Sequence, residues 1–270
     1  MLVDFKYFAP SQKEELLNLL NDKGEKAKIF AGGTDLLPDI RAGLIFPSAL
    51  VDVKKIQDLD GISFSQNQGL SIGPAVTINQ LLENTHVKER YPILIKAGKQ
   101  LASHQIRNRA TVLGNLSNCS PCADMAPPLL CLNASIVISS KQGTRQLPLK
   151  DFFIGTKKSI LKPTELLERV IIPIDMADSR GSYLKLKRIK GHDLAIVSVA
   201  LVKKRGTIRI AIGSAAPTPV ILRDFDINTK FNDICDEAVN AIHPIDDLRA
   251  SAEYRMHMVK VFIERLTKEA

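Results

Sequence analysis

The spacing of apolar positions changes along this 270-residue chain, and the changes predict where helices give way to strands. Leu16, Leu17, Leu19 and Leu20 form an apolar face behind Ser11-Gln12-Lys13-Glu14, a capping-box pattern, and Gly24 is placed to end that helix. Residues 27–31 then read as a short strand, with further strands at 50–53 and 70–73, each bounded by turn residues. A short helix is predicted over 77–83 with Thr77 as its cap. A longer one follows over 86–103, with Leu94, Ala97 and Leu101 on one face. Asp124 precedes Pro127-Pro128 and reads as a helix start, and 135–139 as a strand. Beyond Pro173-Ile174-Asp175-Met176, the best domain boundary, strands at 182–187, 195–202 and 207–213 form an antiparallel meander. A helix over 250–266 closes the chain, with Tyr254, Met258, Val261, Phe262 and Arg265 at 3-4 spacing. The class is α+β.

Composition narrows the functions open to such a chain. Hydrophobic residues make up 45% of it, enough for a sizeable core. No apolar run approaches the ~20 residues of a membrane span, and Met1-Leu2-Val3-Asp4-Phe5-Lys6 lacks the form of a secretory leader, so a cytoplasmic protein is expected. The net charge of +8 invites a nucleic-acid reading. The cations, however, fall in short groups such as Lys157-Lys158 and Lys203-Lys204-Arg205, and there is no Trp for stacking. A solvated basic face or an anionic cofactor accounts for the charge better. Cys119-Ser120-Pro121-Cys122 has C-x-x-C spacing but no second pair, and Cys131 lies in an apolar run. Buried or incidental thiols are expected ahead of a metal site, with a redox dithiol as the lesser alternative.

The candidate chemistry lies in two glycine-bearing turns, Ala31-Gly32-Gly33-Thr34-Asp35-Leu36 and Ala110-Thr111-Val112-Leu113-Gly114-Asn115. Glycine lets backbone N–H groups approach a ligand closely, so the two turns read as halves of a diphosphate cradle. Thr34 and Thr111 add hydroxyl donors, Asn115 an amide, and Asp124 an acceptor for a sugar hydroxyl. Neither G-x-G-x-x-G nor a P-loop is present, so a dinucleotide would bind in a non-Rossmann manner. Taken singly, each motif reads more simply as a plain turn.

The first turn matches an A-G-G-x-[ST/D]-L pattern. The second, with Cys119-Ser120-Pro121-Cys122-Ala123-Asp124, matches T-[IVL]-G-G-N followed by A-S-P-x-x-D. Tyr183-Leu184-Lys185 with Arg188 and Asp193-Leu194-Ala195 fits Y-x-K-x-x-R-x-x-D-x-A; Gly213-Ser214-Ala215-Ala216-Pro217-Thr218-Pro219 fits G-x-x-A-P-T-P; and 250–257 fits A-S-x-x-Y-R-x-H. In this order the motifs resemble the medium, FAD-binding subunits of the molybdenum hydroxylases, the family of xanthine, carbon monoxide and nicotinate dehydrogenases, over nearly the whole chain.

That resemblance implies a two-lobed PCMH-type FAD-binding domain over 1–173, with lobes of about 1–55 and 56–173. A smaller C-terminal domain over 174–270 would carry a three-stranded antiparallel sheet and helices. It implies FAD contacts from Ile29, Phe30, Ala31, Gly32, Gly33, Thr34, Asp35 and Leu36, completed by Ala110, Thr111, Gly114, Asn115 and Asp124. Lys185 would lie near the isoalloxazine, where a cation stabilises the negative charge of reduced flavin. His104 and Arg107 are either anion contacts or ordinary helix-end residues. Leu113 stands where the family has its first glycine, and this position must therefore work at negative φ or under strain. No cysteine-rich insertion interrupts the chain, so no cluster of its own is expected. The implied role is an electron-transfer oxidoreductase subunit. It would take electrons from a [2Fe–2S] small subunit, fed by a molybdenum-cofactor large subunit, and pass them to NAD or another acceptor. A free-standing flavin oxidoreductase acting on a small substrate is the alternative, and a basic scaffold or nucleic-acid protein the third reading.

Overall fold

The computed structural model describes residues 4–57, 59 and 61–269; Met1, Leu2 and Val3, part of the segment read for a leader, lie outside the described residues. The first lobe alternates β1 (Lys6–Phe8), α1 (Lys13–Lys23), β2 (Ala27–Phe30), α2 (Leu36–Arg41) and β3 (Ala49–Asp52). Its three strands are parallel in the order β1-β3-β2, and the central strand is buried at every position, as a parallel strand covered on both faces should be. Leu16, Leu17 and Leu20 of α1 close its core against Val51, Val53 and Ile56. Gly24 ends α1 at φ +54° as expected. The expected capping box does not form: Gln12 is the N-cap, without a side-chain bond, so Glu14 sits one position too early to reach back.

The second lobe contains β4 (Ile62–Ser65), β5 (Gly69–Ile72), α3 (Ile78–Glu83), α4 (Thr85–Arg90), α5 (Pro92–Gln100), α6 (His104–Arg107), α7 (Val112–Ser117), α8 (Ala126–Cys131), β6 (Ser135–Ser140), β7 (Gly143–Pro148), β8 (Phe153–Gly155), β9 (Lys158–Ser159) and β10 (Leu166–Ile172). Five of the strands make an antiparallel sheet in the order β4-β5-β10-β6-β7, and β8 pairs with β9. At α3 the Thr77–Gln80 capping box is complete. The single helix expected over 86–103 is broken into α4 and α5. Tyr91 precedes Pro92 and is forced out of the helical region (φ −133°, ψ 52°), and Pro92 then opens α5.

The rest of the chain forms β11 (Arg180–Leu186), β12 (Val197–Lys204), β13 (Thr207–Gly213), β14 (Val220–Ile221), β15 (Phe225–Asp226), α9 (Phe231–Ala241) and α10 (Ala252–Glu269). The predicted three-strand meander is β11-β12-β13, with β14 and β15 added along the free edge of β13. Alternation along β12 divides two cores. Val197, Val199 and Leu201 face Val259, Phe262 and Ile263 of α10, whereas Ala200 and Val202 join the core of the second lobe, where α8 lies against the sheet.

The buried stripe of α10 is Arg255, Val259, Phe262, Ile263 and Leu266; of the predicted face, Phe262 is buried and Met258 and Val261 pack against this core, while Tyr254 is exposed. Arg255 sets this rotation: fully buried, it donates to Asp247 Oδ1 (2.7 Å), Ser214 O (3.1 Å) and Ile196 O. Replacing it by Met would strip the Ile196 and Ser214 carbonyls of this donor, while Asp247 keeps Arg249, at a cost of about 2 kcal/mol. Urea unfolding of R255M should therefore show a clearly lowered midpoint.

Candidate functional site

The first glycine turn leaves the carboxyl end of β2 and leads into α2, the end of a parallel sheet at which ligands commonly bind. Gly33 takes φ +72°, and a Cβ built there would stand 2.5 Å from Phe30 Cε2. Both its conformation and its packing therefore require glycine.

The second turn is held by the loop before α3: Ile78 N–H donates to Ala110 O (2.8 Å) and Val112 N–H to Val76 O (3.1 Å). Thr111 caps α7 by accepting from Gly114 N–H (3.0 Å), and keeps its own hydroxyl proton to donate. A Cβ on Gly114 would meet that hydroxyl at 2.7 Å. Leu113 lies in the first turn of α7 with helical backbone, so the missing family glycine brings no strain here. The two turns are pressed together. A Cβ on Gly32 would run into the carbonyl oxygen of Arg109 and stand 3.0 Å from Ala110 Cα. Asn118 Nδ2 donates to Asp35 Oδ1 (2.8 Å) and Lys157 Nζ to Asn118 Oδ1 (2.6 Å), a polar latch across the same seam.

The loop after α7 carries the rest of the site. Asn115 Oδ1 accepts from Met125 N–H (3.1 Å) and ties this loop to the second turn. Asp124, expected to cap a helix, is drawn instead into β11: Tyr183 Oη donates to its Oδ1 (2.7 Å) and Lys185 Nζ to its Oδ2 (2.8 Å). Lys185 also donates to Gln100 O (3.2 Å), and its side chain is 2% exposed. Burial pushes the Asp124 carboxyl up, opposed by Lys185 and the Tyr183 hydroxyl, and burial together with Asp124 pushes the Tyr183 phenol well up. Cys119 is buried at φ +47°, and burial raises its thiol to about 11. Cys131 is buried between β12 and β13, its thiol donating to Ala200 O (3.4 Å) and Arg209 O (3.6 Å). Cys122 is partly exposed, and Arg249 Nη1 lies 3.2 Å from its sulfur.

These elements enclose one cavity of about 780 Å³, within the range of small-molecule sites. Of the predicted contacts, Ile29, Ala31, Gly32, Gly33, Thr34, Asp35, Leu36, Ala110, Thr111, Gly114, Asn115, Asp124 and Lys185 all line it. Phe30 does not line the cavity: its ring packs under Gly33, with Lys54 Nζ 4.0 Å from its centroid. Arg107 donates to Leu101 O (2.9 Å), Ala102 O (3.0 Å) and Asn79 Oδ1 (3.2 Å), the helix-end alternative, and neither it nor His104 reaches the cavity wall. Sequence spacing missed Asn118, Leu161 and His192 on the lining. A cradle of glycines that admits no Cβ, threonine hydroxyls and a buried lysine suits a diphosphate-bearing redox cofactor.

The comparisons agree with this geometry. Residues 3–175 match the FAD binding domain in molybdopterin dehydrogenase, and residues 182–270 the CO dehydrogenase flavoprotein C-terminal domain. The carbon monoxide dehydrogenase medium chain of Hydrogenophaga pseudoflava is 30% identical over 98% of this chain and 96% of its own. A xanthine dehydrogenase FAD-binding subunit of Escherichia coli is 30% identical over 100% of this chain and 97% of its own. Among solved structures, Hydrogenophaga pseudoflava carbon monoxide dehydrogenase lacking the Mo-pyranopterin moiety superposes with a TM-score of 0.92 at 31% identity, covering 100% of this chain and 98% of that one. With both family models matched in order, the chain belongs to the FAD-binding flavoprotein subunits of the molybdopterin dehydrogenases.

Proposed function

We propose that this chain is the electron-transfer subunit of a multi-subunit molybdenum hydroxylase, taking electrons from an iron–sulfur subunit and passing them to NAD or another acceptor. The observation that carries this reading is the pair of glycine turns pressed together on one cavity that also reaches the Lys185–Asp124 pair. Bound FAD supplies the redox chemistry. The turns of 31–36 and 110–115 hold its diphosphate through backbone N–H groups and the Thr34 and Thr111 hydroxyls. Lys185, fixed by Asp124 and the Gln100 carbonyl, would be the cation on the flavin side of the bound cofactor and would stabilise the negative charge that reduction brings. Asp124 thus acts chiefly by holding Lys185, and Tyr183 by holding Asp124. The molybdenum cofactor and [2Fe–2S] clusters reside on a large and a small partner subunit. A cofactor-binding unit ending near residue 173, with its lobes dividing near 55, is part of the same reading. A cytoplasmic complex belongs to the same reading, and no helix among the described residues is long and apolar enough to cross a membrane.

Purified chain reconstituted with FAD should show flavin absorbance that bleaches with dithionite, and pull-down from its source cells should recover molybdenum and iron–sulfur subunits. Flavin reduced directly by a small substrate on the lone chain would favour a free-standing oxidoreductase instead. Val at Gly33 should cost about 1–3 kcal/mol of backbone strain and, by driving its Cβ against Phe30, weaken FAD binding roughly tenfold or more. Iodoacetamide at pH 8 should label Cys122 first and FAD should shield it. Cys119, with its thiol at about 11, should react only as the pH climbs toward that value, as peptide mapping will read.

A further inference from the structure

Behind the first glycine turn, on the side away from the cavity, lies a cluster that the cofactor contacts leave unexplained. Phe30 and Asp52 are register partners on β2 and β3, and Lys54 follows Asp52 by two residues. Its ammonium is 2.7 Å from Asp52 Oδ2, 4.0 Å from the centroid of the Phe30 ring and 3.0 Å from the carbonyl oxygen of Ala31. Asp52 is 1% exposed and is fixed in turn by the Tyr7 hydroxyl and by Lys54 N–H at 2.8 Å. Tyr7 meets Phe30 edge to face with centroids 6.3 Å apart. Burial pushes the Asp52 carboxyl up, but the hydrogen bonds from Lys54 and Tyr7 outweigh it and hold the carboxyl below its ordinary value.

The Ala31 carbonyl belongs to the same planar trans peptide as the N–H of Gly32, and the two groups point in opposite directions. Lys54 does not line the cavity, whereas Ala31, Gly32 and Gly33 do. Pinning the carbonyl toward Lys54 therefore turns the Gly32 N–H to the opposite side. A flip of this peptide is cheap next to two glycines. It would offer a carbonyl oxygen, rather than a donor, to an anion.

We infer that Lys54 is a positioning residue, a clamp on the Ala31–Gly32 peptide that keeps the first turn in its anion-binding orientation, with Asp52, Tyr7 and Phe30 as its seat. The inference rests on the reading of the cavity as an FAD site and adds to it a residue that never touches the cofactor. Phe30 takes its place in the same device: its ring supports Gly33 from below and Lys54 from the side.

The test uses the full apo chain and titrates it with FAD and with ADP at about 0.05 M and about 0.5 M NaCl. Lys54→Met should weaken both ligands about tenfold at either salt concentration, the loss expected of one charge-assisted hydrogen bond. Lys54→Arg should recover part of the affinity. Because Lys54→Met leaves Asp52 unpaired, Lys54→Met/Asp52→Asn is measured alongside. It removes both charges, should melt close to the parent and should show the same loss. Parental affinity in a folded variant, or a loss that disappears at high salt as bare charge attraction would, overturns the clamp. A parent chain that binds neither FAD nor ADP overturns the FAD reading, and the clamp with it.

Discussion

The absence of one methyl group sets the geometry on which the rest of the site depends. Gly32 of the first lobe rests against the Arg109 carbonyl of the second, closer than any side chain permits. The two lobes are built on different sheets, one parallel and one antiparallel, so among the described residues no shared strand pairing fixes the distance between their turns. Contact between backbones does so instead. Other links distribute the load: Leu166 of β10 packs in the core of the first lobe, and Lys13 of α1 pairs with Glu168 of β10 at 3.2 Å. The latch through Asp35, Asn118 and Lys157 then holds the seam with polar groups whose loss would leave the turns in contact but free to slide.

Lys185 follows a different logic. A lysine ammonium 2% exposed is stable only with a partner, and Asp124 supplies one at 2.8 Å. Neither charge can leave without stranding the other, so the cation is fixed in position rather than mobile on a flexible stem. Tyr183, two residues earlier on the same strand and therefore on the same face, completes the acceptor side of Asp124. A Y-x-K spacing on a strand thus encodes a clamp on a single carboxylate.

Much of this was legible in the sequence because glycine, proline and strand alternation announce themselves. The two turns, the end of α1 at Gly24 and the meander of β11 to β13 all follow from such local signals. Other features depend on residues far apart in the chain. Phe30 immediately precedes the first motif, yet its ring turns away from the cavity because Lys54, Asp52 and Tyr7 gather behind it. The stripe of α10 was read only in part, because a buried arginine looks polar to any periodicity argument and two of its acceptors, Ile196 and Ser214, lie on distant segments. Asn118 and Lys157 carry no motif at all; only the closing of the lobes brings them to Asp35.

The same long-range character bears on how far the segments of the chain act alone. Ala200, Val202, Ala211 and Tyr183 belong to the core of the second lobe, although they follow it in sequence. Without β11, Asp124 would stay in its loop with neither the Tyr183 hydroxyl nor the Lys185 ammonium, a carboxylate deprived of both side-chain donors. The cavity would also lose Lys185 and the His192-Asp193-Leu194 wall. The C-terminal meander is therefore part of the cavity in the physical sense. It closes the core beneath the Cys119–Asp124 loop with one face, binds α10 with the other, and sets the buried Lys185–Asp124 pair on the cavity wall.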